Sequence, residues 1–329
     1  MDTFLQQLVN GLTAGSVYAV VALGYTMVYG IIQLINFAHG EVVMIGAMVA
    51  FTVINALAGG TLPPLAVVLV GALSAIPVCM LVGYLMERLA YRPLRRAPRL
   101  APLITAIGVS IILQHLAMLV WSRNVLAFPQ IIHNPTFAIF GATTISAVQI
   151  AIIGICLAMM GGLALLVYRT PLGTAMRATA QNPQVAGLMG VDVNRVIAAT
   201  FVIGAALGAA AGVLFGTYYG IAQYTMGSIL GLKAFSAAVL GGIGNIPGAM
   251  LGGVLLGLVE ALGAGYIGDL TDLCSYGWIG GLMSERCANG GHFILFGSNY
   301  QDVFAFIVLI LVLVLRPQGL LGERVGDRA

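Results

Sequence analysis

Charge is what this 329-residue chain has least of. Asp, Glu, Lys and Arg make up 8% of it, against about 25% in a soluble domain. So few charges cannot cover the surface of a water-soluble fold of this length, so that class is excluded. Disorder is excluded for the converse reason, because 60% of the residues are hydrophobic and the net charge is only +3. Fourteen basic residues against eleven acidic ones make no dense positive field, so no nucleic-acid partner is expected. Four histidines and four cysteines, with no CxxC pair and no His-rich run, give no metal site. The chain also lacks a G-x-x-x-x-G-K-[ST] phosphate loop, a Ser/His/Asp set and a paired-carboxylate site. No catalytic residue is therefore assigned, and any nucleotide-driven engine must lie on another chain.

What is abundant is apolar sequence in lengths that suit a bilayer. A span needs about 20 apolar residues to cross about 30 Å of hydrocarbon. Candidates lie at 10–31, 40–58, 64–86, 102–121, 146–168, 193–219, 246–265 and 300–315, with a shorter one at 228–242. The expectation is an all-α polytopic membrane protein, one transmembrane domain over 1–329 with eight or nine helices. The N-terminal residues Met1–Leu5 show no basic region or cleavage site, so the first span reads as retained.

Arginine placement sets the orientation. Eleven of the 14 basic residues fall in three segments: Arg88–Arg99, Arg169–Arg195 and Arg316–Arg328. These are expected in the cytoplasm, with the segment 266–299 outside. Parity then requires nine crossings, N-terminus out and C-terminus in. One helix, 146–168, separates two groups of four, so the second group is inverted relative to the first. Inverted repeats with short interrupted segments in matching positions are a common transporter plan, which makes the stretches around 36–52 and 228–244 pointers to a translocation path.

Ionisable groups inside such spans need an explanation, since each costs at least about 2.5–3.5 kcal/mol at mid-helix. The polar run Gln33–Glu41 contains Asn36, Phe37, His39 and Glu41, and Glu41 is the only carboxylate between Asp2 and Glu87. Either this is non-helical backbone dipping into a protein-lined interior, or a tight turn whose His39 and Glu41 cap the next helix. Lys233 is the only lysine. It either snorkels to the outer interface or pairs with a buried acid, for which Glu260 is the candidate. Tyr18, Tyr25 and Tyr29 share one face of the first span, placed to line a path or to pack the core. Gln114, His115 and Gln149 read as interhelical hydrogen-bond formers. Gly204, Gly208, Gly212, Gly216 and Gly220, then Gly248/Gly252 and Gly253/Gly257, form ridges that let backbones approach closely, in this chain or against a partner. Cys79 and Cys156 read as inert core thiols, whereas Cys274 and Cys287, in the outer loop, form a candidate disulfide.

Within the cytoplasmic segment 169–195, Asn182 suits an N-cap, Pro183 the first helical position and Gly190 the position just past the end. The result is a helix of about two turns, too short to be stable alone. Its Val185, Leu188 and Met189 share one apolar face, which enters a groove on a partner or packs back on its own bundle.

The runs Gly24–Ile32, Ile35–Glu41, Glu87–Arg95 and Lys233–Gly244, the last including Gly241, Gly242 and Gly244, closely resemble the LivH-type permease of branched-chain amino-acid ABC importers. The likeness covers nearly the whole chain and departs in the loop at about 268–299, which is longer here. The resemblance implies a bacterial inner-membrane subunit paired with a second, LivM-type permease. Two cytoplasmic ATPase subunits, which would use ATP and Mg, and a periplasmic amino-acid-binding protein would complete the importer. The 182–190 helix would be its coupling helix, and this chain would bind no cofactor itself. Relatives of the same type for urea, amides or other amino acids, and an autonomous secondary transporter or channel, remain the alternatives.

Overall fold

The computed structural model describes residues 2–95, 97–98, 100–140, 143–267 and 301–322. Among them the helices are α1 (Asp2–Ile32), α2 (His39–Leu57), α3 (Pro64–Leu85), α4 (Leu100–Val120), α5 (Ala147–Arg169), α6 (Pro171–Gln181), α7 (Pro183–Leu188), α8 (Val193–Tyr219), α9 (Met226–Gly241), α10 (Ile246–Leu262) and α11 (Gln301–Leu315). Seven are long and apolar enough to cross a membrane, and α9 and α11 are shorter apolar helices. Helices dominate because hydrocarbon offers backbone N–H and C=O groups no partners, so each segment must satisfy its own. Two short antiparallel pairs accompany them, which the purely helical reading did not include. They are β1 (Leu126–Ala127) with β4 (Ile221–Ala222), and β2 (Thr136–Phe140) with β3 (Thr143–Ser146). The segment 268–300, with Cys274 and Cys287 and the candidate disulfide between them, lies outside the described residues.

The helix ends follow local chemistry. Asp192 caps α8 by accepting from the N–H groups of Asn194 and Arg195, and Gly220, at φ +69°, ends it in the left-handed conformation. Ser146 and Gln149 form a reciprocal capping box at the start of α5, and Gln149 also donates to Asn10 of α1 at 3.1 Å. Residues 17–23 of α1 are all buried, as a helix apolar all round must be when it sits at the centre of a bundle. Around it, α3, α4, α5 and α11 leave large side chains such as Leu73, Leu119, Leu165 and Val314 exposed, the rim expected where lipid is the solvent.

The glycine ridges pack within this chain. On α10, a Cβ at Gly257 would lie 2.3 Å from Gly15 Cα and one at Gly253 would lie 2.3 Å from Ala19 Cα, so α1 and α10 touch backbone to backbone. The ridge on α8 takes Val43 of α2 and, further along, Phe128. Gly257→Val is therefore expected to fall at or above the upper end of the about 1–3 kcal/mol that overpacking costs. Gly161→Val, in open space on α5, should leave stability unchanged. Thermal unfolding of the two purified variants in detergent checks this, and equal melting temperatures would refute it.

Exchanging α1 with α8, α2 with α9, α3 with α10 and α4 with α11 maps the main helix contacts onto one another, though α10 packs on α11 without a comparable α3–α4 contact. The α1–α10 contact becomes α8–α3, α2–α8 becomes α9–α1, and α2–α3 becomes α9–α10. Both third helices run on into a π turn, Met86–Tyr91 after α3 and Gly263–Ile267 after α10. Between the two groups stand the long apolar helix α5 and the short helices α6 and α7.

The arginine-rich segments meet at one end of the bundle. Arg95 donates to Asn194 at 2.7 Å and pairs with Glu87, tying the end of α3 to the start of α8. Past α11, the N–H groups of Leu320 and Leu321 donate to the carbonyls of Leu240 and Gly241, clasping the tail to the end of α9. The ends of α1, α5 and α6 join the α9–α10 turn around one small cavity that includes Arg177. The start of α1 lies at the other end, where Gln6 accepts from the Thr144 N–H of the β2–β3 hairpin.

Candidate functional site

Residues 33–38 are non-helical, and Gln33 holds φ at +55°. The chain thereby turns back into the bundle, so α2 begins beside Gly24 and Tyr25 of α1. Tyr91, in the π turn after α3, donates to buried Asn36 at 2.7 Å and fixes the turn-back. The break thus precedes α2. Of the stretch 36–52, residues 36–38 belong to the break, and from His39 onward α2 is a continuous 19-residue helix. His39 and Glu41 do not cap it, since the N-cap is Ala38 and accepts no side-chain-mediated bond.

Beside this entry, between α1, α4 and α9, lies a half-open cavity of about 160 Å³ lined by Tyr25, Phe37, Ile107, Ser110, Ser228 and Leu232. Behind its two serines stands Glu41, fully buried. Its Oε1 accepts from Ser228 Oγ at 2.8 Å and Ser110 Oγ at 3.1 Å, and Gln114 Nε2 donates to Ser228 at 3.4 Å. Glu41 Oε2 has no hydrogen-bond partner among the described residues. Three helices therefore converge on one carboxylate.

Other candidates from the polar runs sit elsewhere. His39 points away from the cavity into a socket formed by missing side chains. A Cβ at Gly24 would be 2.1 Å from its Nε2, Gly208 borders it too, and Tyr25 meets it edge-on at 5.0 Å. His115 bonds the carbonyl of Ile111 on its own helix, not a neighbouring helix. Tyr18 and Lys233 belong to a second cluster, also away from the cavity. Lys233 is buried and ion-paired to Glu260 at 2.7 Å and to Asp302 of α11 at 2.6 Å, with Tyr18 donating to Glu260 at 3.4 Å. Snorkelling is thus overturned, because two carboxylates hold the ammonium inside. Gly241, Gly242 and Gly244 form the turn between α9 and α10. Gly242, at φ +105°, lies so close to Gly319 and Gly322 that any side chain there would collide with the tail.

The last candidate, α7, sits at the edge of the bundle, with Ala186 buried. Asn182 caps α7 by accepting from the N–H groups of Gln184 and Val185, with Pro183 at the first helical position. At its end Val191 N–H reaches Ala186 C=O and Gly190 N–H reaches Gly187 C=O, a Schellman closure that needs the φ of +87° found at Gly190. Val185 is half exposed, and Leu188 and Met189 are 87% and 80% exposed. This apolar face does not pack back on its own bundle. Preceding it is α6, capped by Thr170 with Pro171 at its start, a second helix of the segment that the sequence reading left undivided.

Comparison with known proteins extends this geometry. The family model described as branched-chain amino acid transport system / permease component matches residues 7–313. The high-affinity branched-chain amino acid transport system permease protein BraD of Pseudomonas aeruginosa is 47% identical over 97% of this chain and 96% of its own length. The corresponding LivH of Escherichia coli K12 is 42% identical over 97% and 96%. A probable branched-chain amino acid transport permease protein LivH of Methanocaldococcus jannaschii is 28% identical over 92% and 87%. No solved structure matches. With its many apolar helices and a family match over almost the whole chain, this multi-pass membrane protein belongs to the permease components of branched-chain amino acid transport systems.

Proposed function

We propose that the chain is the permease subunit of an ATP-driven importer, moving branched-chain or related hydrophobic amino acids that a periplasmic binding protein delivers. The observation that carries this is α7, whose Leu188 and Met189 project unpaired at the arginine-rich end of a bundle with no nucleotide motif. An exposed apolar knob on a capped, closed helix fits a groove on a separate ATPase. The arginine-rich end is then cytoplasmic, the N-terminus periplasmic and the membrane the bacterial inner one. A second, homologous permease covers the open side of the cavity, which lipid cannot do, because its serines would face hydrocarbon. Tyr25, Phe37, Ser110, Ser228 and Leu232 line the path there. Two ATPase subunits use ATP and Mg, and this chain needs no cofactor. Relatives that carry urea, amides or other amino acids are the neighbouring reading, since the cavity's aromatic and aliphatic walls favour an apolar side chain without naming one.

Reconstitution into liposomes with the second permease, both ATPases and the binding protein should give leucine uptake that requires ATP. Uptake driven by an ion gradient without the ATPases would instead identify an autonomous secondary transporter.

A further inference from the structure

The polar wall of the cavity has a definite hydrogen-bonding sign. A serine hydroxyl has one proton to donate and two lone pairs to accept with. Ser110 and Ser228 both point that proton at Glu41 Oε1, so towards the cavity they offer lone pairs alone. Gln114 takes up part of the acceptor capacity of Ser228 only at 3.4 Å. Behind them is a fully buried carboxylate whose second oxygen has no partner, and no ion pair reaches it among the described residues. Lys233 cannot serve, because it is committed to Glu260 and Asp302 on another face of α9. The geometry therefore turns both serine protons inward, and where Glu41 is ionised its charge acts on the cavity with little screening.

We propose that Glu41, Ser110 and Ser228 form an ammonium-recognition subsite on the transport path. The acceptor-only wall receives the α-ammonium of an amino acid, and Phe37, Ile107 and Leu232 face its aliphatic side chain. Tyr25, whose hydroxyl lies beside Gly231, supplies a donor for the carboxylate. The subsite rests on the amino-acid transport reading but makes a separate statement: the wall selects a cationic head group and rejects an anionic one.

The test places Leu232→Cys in the full transporter with the four native cysteines replaced by alanine, once that background is shown to take up leucine. Its labelling rates with a cationic reagent, aminoethyl methanethiosulfonate, and an anionic one, sulfonatoethyl methanethiosulfonate, are compared with and without Glu41→Gln. The cation-to-anion rate ratio should fall about tenfold or more when Glu41 is neutralised, the scale on which a focused field enriches one sign of charge. Leucine should slow the cationic reagent, whereas 4-methyl-2-oxopentanoate, the same skeleton without the ammonium, should not. If Glu41→Gln fails to assemble, Glu41→Ala, which removes the charge without leaving a buried amide N–H unpaired, carries the same comparison. A ratio indifferent to these changes, with leucine uptake intact, overturns the subsite and leaves the transport reading standing. A Glu41-dependent ratio in a transporter that carries no aliphatic amino acid overturns the substrate and with it the ammonium assignment.

Discussion

Lys233→Met should destabilise the membrane fold by about 3–5 kcal/mol, the cost of breaking a buried pair from one side. Lys233 is the only cation between Glu260 and Asp302, and Glu260 is buried with its Oε2 already unpartnered. Removing the ammonium leaves two carboxylates facing each other across the junction of α9, α10 and α11, and deprives Tyr18 of its place in the network. Lys233→Arg should rescue poorly, because a planar guanidinium cannot occupy the space of a compact ammonium between two carboxylates. The triple variant Lys233→Met with Glu260→Gln and Asp302→Asn should recover much of the loss, because it removes all three charges together. Thermal unfolding and monodispersity in detergent measure both effects. A Lys233→Met protein that melts like the wild type would show that the cluster contributes nothing to the fold.

That cluster also marks where sequence reasoning reached and where it stopped. Glu260 stood out as a partner for Lys233 because few acids occur in apolar spans. Asp302 did not, because it follows a loop and enters the cluster only through the packing of α11, which no local pattern encodes. The same division runs through the polar run Gln33–Glu41. Polarity without an arginine or lysine pointed to non-helical backbone over Gln33–Glu41, which holds for 33–38, while His39–Glu41 already begin α2. Where His39 and Glu41 would point depended on Gly24, Gly208, Ser110 and Ser228, contributed by α1, α8, α4 and α9.

Local chemistry was far more legible. Asp192 caps α8, and Asn182, Pro183 and Gly190 bound α7, as residue type alone predicts, whereas Gly220, read as the last step of the glycine ridge, instead ends α8 in the left-handed conformation. Two signals of the same kind were available and unused. Thr170-Pro171 repeats at the start of α6 the cap-and-proline signature read at Asn182-Pro183, and Ser146 with Gln149 has the spacing of a capping box. The β2–β3 hairpin was also signalled by Thr, Phe and Ile in near alternation on both sides of Gly141. These signals lie between the long apolar runs, where a reading by hydropathy assigns only loop.

Leu188→Asp should abolish coupling while leaving the membrane fold intact. At 87% exposure Leu188 stabilises nothing within this chain, so yield, monodispersity and melting temperature should match the wild type. In an ATPase groove its burial is worth about 1.5–3 kcal/mol, and a carboxylate buried there without a partner adds a desolvation penalty of at least similar size. A combined loss of about 3–5 kcal/mol is a fall of roughly 10²–10³-fold or more in docking affinity, enough to separate the ATPases from the permease pair at micromolar concentration. Leu188→Met keeps the apolar volume and should retain uptake, which distinguishes loss of contact from loss of a specific shape. Co-purification with the ATPases reports docking, and ATP-dependent leucine uptake reports coupling. The two can part company, since a complex that still assembles through the second permease should hydrolyse ATP without moving leucine. Full uptake by Leu188→Asp would remove α7 from the coupling role, and with it the observation on which the ATP-driven function rests.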